Sequence, residues 1–179
     1  MSDAGPPVRA IGTIRTRYTA FEDTPVQATL NPDEDGTIEL DPAFVDALDG
    51  LDGFTHVWLL TWLAAWDRQP PVPELRQVPF LLRERGTVMG VLATRGPRRP
   101  NPIGLSLVRL VAVEGTTIRF SGVDMLDGTP LLDLKPYVAT VDQPQGEVRS
   151  GWLDTVTFDD RITPSALGVP PGGQAPPPE

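Results

Sequence analysis

The chain has 179 residues, 40% hydrophobic and 22% charged, values typical of one folded, water-soluble domain with a sizeable core. It contains no Cys, one His, and one Lys that follows a leucine, which excludes disulfides, thiolate zinc sites, His-pair metal sites and the Gly-Lys-Ser/Thr phosphate loop. The net charge of −9 disfavours contact with a polyanion over a wide face, but it permits a local basic patch.

Short apolar segments between prolines and glycines predict a mainly β chain. The 21 Pro and 17 Gly argue against a helical bundle, because both residue types interrupt helices. No Gly-x-Gly-x-x-Gly occurs, so a Rossmann fold is not expected. The pattern indicates an antiparallel barrel or sandwich. The expected strands are residues 8–17, 37–40, 55–63, 88–93, 105–114, 117–123, 131–141 and 152–158.

Two local signals predict the connections between strands. Asp41 followed by Pro42 is an N-cap with a proline at the first helical position, so a short helix is expected over residues 43–48. Glu114-Gly115-Thr116 predicts a tight hairpin.

The ends of the chain differ from its centre. Residues 163–179 contain six Pro and three Gly, so they are expected to form a flexible tail after a domain at 1–162. Residues 1–10 lack a basic apolar leader, and the apolar stretch 54–66 is too short to span a bilayer. A cytoplasmic protein without membrane contact is therefore expected.

The tryptophan series does not decide between helix and strand. Trp58, Trp62 and Trp66 are four residues apart, which places them on one face of either element. Core packing is the expected role of Trp58 and Trp62, and His56 beside them is expected to be a core histidine with satisfied hydrogen bonds.

The segment 93–104 is the first that points to chemistry. It holds Arg95, Arg98 and Arg99 among three prolines, which limit the entropy that the guanidinium groups lose on binding. Rigid Arg side chains suit phosphate or carboxylate ligands. A solvated loop that pairs with the protein's own carboxylates is an equally simple interpretation.

The segment 122–137 is the second segment whose residues point to chemistry. Asp127-Gly128-Thr129-Pro130 has the composition of a turn, and Asp124, Asp127 and Asp133 lie near Lys135. One interpretation is a hairpin with a buried Lys–Asp pair, and the other is a polar ligand pocket. A magnesium site is disfavoured by the nearby lysine, so no metal is expected.

These two segments resemble the TrmO/YaeB family, the TsaA-like domain of tRNA N6-threonylcarbamoyladenosine methyltransferases. The resemblance runs from about residue 8 to 137, and both long motifs are specific to the family. The matching residues are Ala93-Thr94-Arg95, Arg99-Pro100-Asn101-Pro102-Ile103-Gly104-Leu105-Ser106, Asp127-Gly128-Thr129-Pro130 and Asp133-Leu134-Lys135-Pro136-Tyr137, with support from residues 11–15 and 51–58.

The resemblance implies a single small antiparallel β-barrel that binds S-adenosyl-L-methionine without a Rossmann fold. It also implies a homodimer and methyl transfer to N6 of threonylcarbamoyladenosine beside the tRNA anticodon. Carried over by position, the cofactor-binding residues are Pro25, Val26, Gln27, Arg95, Leu105, Asp127, Gly128, Thr129 and Pro130.

Three features depart from the family pattern. Val26 stands where the family usually has Arg, and Ala64-Ala65 stand where it usually has His-Gln. The Pro-rich tail replaces the C-terminal extension of many bacterial members.

Catalytic roles are assigned on chemical grounds. The enzyme chiefly aligns an in-line displacement at an electrophilic methyl carbon. Asp127 is the candidate to stabilise the cationic cofactor, with Trp62 or Tyr137 as cation–π partners. Asp133 and a neutral Lys135 are candidates for the base, with Asp124 or solvent as alternatives. The substrate-binding candidates, which face phosphate or the threonyl carboxylate, are Arg98, Arg99 and Asn101.

Two other functions fit the residues. One is an S-adenosylmethionine-dependent enzyme that acts on a small metabolite, which the missing extension allows. The other is a non-catalytic S-adenosylmethionine-binding module, which the changes at Val26 and Ala64-Ala65 allow. Transfer of methyl groups to bulk tRNA separates the tRNA enzyme from both.

Overall fold

A closed barrel of antiparallel strands forms the centre of the computed structural model, which describes residues 7–63, 75–156 and 163. Six strands close the barrel in the order β1-β2-β7-β6-β3-β8, and β8 pairs with β1; β4 and β5 form a separate two-stranded sheet. The strands are β1 (Gly12–Arg15), β2 (Asp35–Leu40), β3 (His56–Trp62), β4 (Arg76–Gln77), β5 (Met89–Gly90), β6 (Ile103–Glu114), β7 (Thr117–Ser121) and β8 (Pro130–Pro136).

The helical segments of the described chain are short, so the expectation of a mainly β barrel with short helices is confirmed. One is an α-helix, α1 (Ala139–Asp142). The others are 3₁₀ turns at Phe21–Asp23, Ala28–Leu30, Pro42–Leu48, Leu51–Gly53, Phe80–Arg85, Val91–Ala93 and Gly151–Thr155.

Both connection signals are confirmed. Asp41 accepts a hydrogen bond from the Ala43 N–H (2.9 Å) at the start of Pro42–Leu48. The β6–β7 hairpin turns at Gly115, whose φ of 60° lies in the left-handed region that glycine adopts without strain.

The barrel interior is filled by the inward side chains of every strand. Along β3, Val57, Leu59 and Thr61 are buried, while the residues between them are half-buried on the outer face, as the two-residue period of a strand requires. The largest fully buried apolar side chains are Phe120, Ile14, Ile38, Leu59, Ile118, Leu131, Val57, Val108 and Val123.

The expected core positions of Trp58, Trp62 and His56 are wrong. All three lie half-buried on the outer face of β3, opposite Val57 and Leu59. A six-stranded barrel has too little interior space for indole rings, so smaller side chains fill it. The ring of Tyr137 meets Trp58 edge-on at 6.1 Å and His56 at 6.4 Å, outside the barrel.

Four expected strands are much shorter than predicted or absent. Within 8–17 only β1, Gly12–Arg15, is extended. Within 88–93 only β5 is extended, and a 3₁₀ turn follows; within 131–141, β8 ends at Pro136 and α1 begins at Ala139. Residues 152–155 belong to a 3₁₀ turn, and 157–158 lie outside the described residues. β-Branched residues favour a strand only where a partner edge is free, and closure of the barrel leaves none. The barrel strands therefore end at residue 136, before the expected limit near 160.

Some expectations fall on residues that the structure does not describe. These are the tail at 163–179 except Thr163, Trp66, and the Ala64-Ala65 departure.

Candidate functional site

Asp124, just beyond β7, joins two distant parts of the chain. Its Oδ1 accepts a hydrogen bond from the Ser106 hydroxyl (2.7 Å), and its Oδ2 accepts one from the Ala28 N–H (2.9 Å). Ser106 is a buried, inward residue of β6, and Ala28 is a buried residue of the turn after Gln27. Both carboxylate oxygens are thus held by interior groups of the fold.

Burial raises the pKa of Asp124 to about 6, because the carboxylate is largely removed from water. The hydrogen bonds from Ser106 and Ala28 and the positive charge of Arg95 act in the opposite direction. Although the residue as a whole is partly exposed, its carboxylate oxygens face Ser106 and Ala28. Asp124 is therefore a group whose charge changes near neutral pH.

The predicted cofactor segment at Pro25, Val26 and Gln27 is held against the end of β7 by a second contact. Asn31 donates from Nδ2 to the Val123 carbonyl (2.9 Å) and to the Tyr18 hydroxyl (3.1 Å). Pro25 is buried, and the Gln27 side chain donates to the Val26 carbonyl. The segment is thus fixed through the residues that follow it, Ala28 and Asn31.

Close packing at the end of β7 requires glycine at position 122. Its φ is 95°, and a Cβ there would lie 3.3 Å from the Ala28 carbonyl oxygen. This close approach brings Ala28 within reach of Asp124.

The arginine loop begins on a rigid support. Thr94 is buried, and its hydroxyl donates to the Val91 carbonyl (2.9 Å) and accepts from Gln77 Nε2 (2.8 Å). The Trp152 indole donates to the Ala93 carbonyl (2.8 Å), which ties the C-terminal part of the described chain to this loop. Arg95 projects from this support with an exposed side chain.

The other loop residues differ in their surroundings. Arg99 turns back and donates to the carbonyls of Thr94 (3.3 Å) and Gly96 (3.4 Å), so it stabilises the loop itself. Arg98 is half-buried and Asn101 is exposed. The loop is therefore preorganised around Arg99, while Asn101 faces solvent.

Asp127 lies against the end of β1. Its Oδ1 accepts from the Thr16 N–H (3.2 Å), and its Oδ2 lies 3.8 Å from Arg15 Nη1. Arg15 also contacts Glu39 at 2.8 Å, and this hydrogen bond, with a smaller effect of Asp127, raises the pKa of Arg15. The carboxylate of Asp127 therefore has protein partners of its own.

The backbone of the 127–130 turn is also engaged. The N–H groups of Asp127, Gly128 and Thr129 donate to the carbonyls of Tyr18, Ile14 and Leu126, respectively. A ligand at this turn would therefore meet the Asp127 carboxylate or the turn's outer surface, and not free N–H groups.

The remaining catalytic candidates form a pair of their own on β8. Lys135 Nζ lies 2.8 Å from Asp133 Oδ2, and both side chains are more than two-fifths exposed. Their register partners on β3 are Trp58 and Leu60, so the pair lies on the barrel's outer face. The lysine–aspartate pair expected from sequence exists, but it is exposed and not buried.

The structure thus groups the predicted residues around two carboxylates. Asp124 is linked to the 25–27 segment, to Arg95 and, through Ser106, to the neighbour of Leu105, whereas Asp127 contacts Arg15 and Thr16. The sequence alone gives Ser106 no role in the site. The feature that could have identified Ser106 is a hydroxyl side chain at an inward position of an otherwise apolar strand.

Neither a metal cluster nor a spanning helix is found in the described ranges. No group of three or more His, Cys, Asp or Glu side chains there is placed to hold a metal ion. Likewise, no helix within those ranges is long and apolar enough to cross a membrane.

Comparison with protein families places this site within a known domain. The model of the tRNA-methyltransferase O N-terminal domain matches residues 13–143. That range contains all of the cofactor-binding candidates and both carboxylates described above.

Known proteins with similar sequences and structures agree with this match. The chain is 41% identical to a probable S-adenosyl-L-methionine-binding protein of Pyrococcus abyssi, over 82% of this chain and 75% of the relative. It is 46% identical to the human tRNA (adenine(37)-N6)-methyltransferase, over 55% of this chain and 22% of that enzyme. The crystal structure of TrmO from Pseudomonas aeruginosa superposes with a TM-score of 0.65 at 38% identity, covering 83% of this chain and 62% of that chain.

Proposed function

Because the chain belongs to the tRNA-methyltransferase O N-terminal domain family, we propose that it is an S-adenosyl-L-methionine-dependent methyltransferase that acts on tRNA. One observation carries the proposal: the family match over residues 13–143 includes every residue assigned to the cofactor. The acceptor is N6 of an adenine, specifically that of threonylcarbamoyladenosine next to the anticodon. The human relative's name, a tRNA (adenine(37)-N6)-methyltransferase, supports an adenine N6 acceptor.

The residues present suit the proposed cofactor by their chemistry. S-Adenosylmethionine carries a sulfonium, an amino acid zwitterion and an adenine ring. Asp127 and Arg95 supply opposite charges from exposed side chains, and Leu105 is an exposed apolar side chain (47%) beside Ser106. The residues that hold the cofactor are Pro25, Val26, Gln27, Arg95, Leu105, Asp127, Gly128, Thr129 and Pro130.

The cofactor supplies an electrophilic methyl group, and this chain's residues align its acceptor. Asp127 provides negative charge that favours a cation, although Arg15 shares that charge. Arg98 and Asn101 bind substrate phosphate or carboxylate at the edge of the arginine loop. Arg99 contributes by holding this loop in shape through its contacts with Thr94 and Gly96.

The proton of N6 needs an acceptor or direct access to water. Lys135 and Asp133 form an exposed ion pair, so neither side chain is free to accept this proton while the pair is intact. Both oxygens of Asp124 already accept hydrogen bonds, so it is better suited to hold structure than to accept this proton.

Two further properties belong to the proposal. The first is a homodimer. The outer face of β3 and β6 carries Trp58, Trp62 and the exposed Ile103 (41%) and Leu105 (47%), an apolar surface of the kind that partner subunits cover. Light scattering should give about twice the 19.4 kDa mass of one chain, and Ile103→Glu should shift the mass to that of a monomer. A wild-type monomer at micromolar concentration would contradict this.

The second property is a cytoplasmic location.

Methyl transfer from labelled S-adenosylmethionine tests the activity. Label should enter bulk tRNA that carries threonylcarbamoyladenosine, and it should not enter tRNA that lacks this modification. Label in a metabolite fraction alone would favour the small-molecule enzyme, which the net charge of −9 would suit. Cofactor binding without transfer to either would identify a non-catalytic module.

A further inference from the structure

Asp124 connects two of the chain segments assigned to the cofactor. Its Oδ2 accepts from the N–H of Ala28, which follows Gln27 in the chain. Its Oδ1 accepts from the hydroxyl of Ser106, which follows Leu105. Each contact therefore fixes the residue next to a proposed cofactor ligand.

The other two assigned segments are related to this carboxylate by charge and by position in the chain. Arg95 is the charged side chain whose field acts on Asp124, and Asp127 follows three positions later. The elements packed against Asp124 contribute a hydroxyl from β6, a backbone N–H from the 28–30 turn, and the Arg95 charge. Two of the four assigned segments are thus held through a neighbouring residue that hydrogen-bonds Asp124, and the charge of a third, Arg95, acts on it.

A buried carboxylate is a costly means of joining backbone segments. Two hydrogen bonds to neutral donors do not offset the loss of water around a full negative charge. An Asn at position 124 would make both contacts without that cost, because its carbonyl accepts from Ala28 and its amide donates to Ser106. The charge therefore has a role beyond holding the fold, and Arg95 is a cation whose field favours it.

We propose that Asp124, through its ionised carboxylate, is a positioning residue that holds the 25–28 segment against Ser106 of β6 and attracts Arg95, in the arrangement that binds S-adenosylmethionine. The proposal rests on the function proposed above. Its effect on the reaction is indirect: it fixes ligands and does not contact the transferred methyl group.

Calorimetry with S-adenosylmethionine at pH 7.5 tests the need for the charge. Asp124→Asn keeps the shape and the hydrogen bonds but removes the charge, and it should weaken binding by ~10-fold or more. Glu114→Gln, which neutralises an exposed carboxylate at the β6–β7 hairpin, is the matched control and should bind like the wild type.

The pH profile of binding separates a positioning charge from a merely structural residue. With a pKa of about 6, roughly one Asp124 in ten stays ionised at pH 5, so the wild-type Kd should rise ~10-fold from pH 7 to pH 5. This component should be absent from Asp124→Asn. Ser106→Ala removes a hydrogen bond that favours the ionised form, so the midpoint of the profile should move to higher pH.

Hydrogen exchange of the Ala28 amide provides a measurement that needs no cofactor. Its protection should be kept in Asp124→Asn and lost in Asp124→Ala, whose side chain offers no acceptor. Equal protection in Asp124→Ala, or wild-type affinity and pH profile in Asp124→Asn, would overturn the proposal. A wild type that binds no S-adenosylmethionine would instead refute the proposed function, and the amide measurement would still decide whether Asp124 holds the 25–28 segment. Should Asp124→Ala not fold, the wild-type and Asp124→Asn pH profiles decide the question.

Discussion

Replacement of Asp124 by Asn should make the protein more stable at neutral pH while it weakens cofactor binding. Burial raises the pKa of Asp124 to about 6 from its ordinary 3.8, so the folded state binds a proton more tightly than the unfolded state. The free energy of unfolding therefore falls as pH rises between these two values, and the loss is complete above the folded pKa. Asn does not titrate, so at position 124 it causes no such loss of the free energy of unfolding at any pH.

The two pKa values set the size of the effect. Their separation corresponds to about 3 kcal/mol lost from the wild type well above pH 6. About half of this loss is already present at pH 5, which leaves ~1.4 kcal/mol between pH 5 and pH 7.5. The stability advantage of Asp124→Asn should therefore be larger at pH 7.5 than at pH 5 by ~1.4 kcal/mol.

Urea unfolding of the wild type and Asp124→Asn at these two pH values measures this quantity. Every other titrating group contributes nearly equally to both proteins, so it cancels from the difference. Glu114→Gln again serves as the control and should show no comparable change with pH. A stability difference that is the same at both pH values would refute the assignment of a buried, proton-linked carboxylate at position 124.

The two measurements on Asp124→Asn together describe a trade between stability and function. Substitution of a residue that serves folding alone should lower the stability of the protein. Substitution of a residue that serves binding should instead lower the affinity for S-adenosylmethionine and raise the stability. We expect the second outcome, since burial makes the charge of Asp124 costly to the fold.

Substitution of the two charged ligand candidates should act on binding more than on folding. Arg95→Ala and Asp127→Ala should each weaken S-adenosylmethionine binding by ~10-fold, or ~1.4 kcal/mol, in calorimetry; unchanged affinity in both folded variants would remove them from the site. Since both side chains are exposed, their melting temperatures should stay close to that of the wild type. Gly104→Ala should destabilise the barrel by ~1–3 kcal/mol in urea, because the new Cβ would lie 2.3 Å from the buried hydroxyl of Thr61. Gly53→Ala, which meets no atom within 4 Å, is the matched control, and an equal loss in both would contradict the packing argument.

Local patterns in the amino-acid sequence predict the fold class and the main strands. The apolar run over residues 55–63 and the turn at Gly115 predict β3 and the β6–β7 hairpin, because strand propensity and turn chemistry are local properties. The motifs at 93–106 and 127–137 likewise identify the family, because each is a continuous run of specific residue types.

Which face of a strand points inward depends on how the barrel closes. The tryptophans of β3 have the right spacing for one face, but spacing does not say which face a closed barrel encloses. The narrow interior admits Val57 and Leu59 and leaves the indoles outside. Segments 88–93 and 152–155 have strand-like composition but no barrel edge to pair with, since pairing depends on distant chain.

The candidate site is likewise predicted in part from local sequence and decided in part by the tertiary structure. Sequence pattern marks Asp124, Asp127 and Arg95 as neighbours of a ligand, because polar residues in turns are recognisable locally. It does not distinguish the carboxylate held by Ser106 and Ala28 from the one held by Arg15 and Thr16. Burial and partnership set a carboxylate's charge state, and for Asp124 both come from segments up to 96 residues away in the chain, which meet only when the barrel closes.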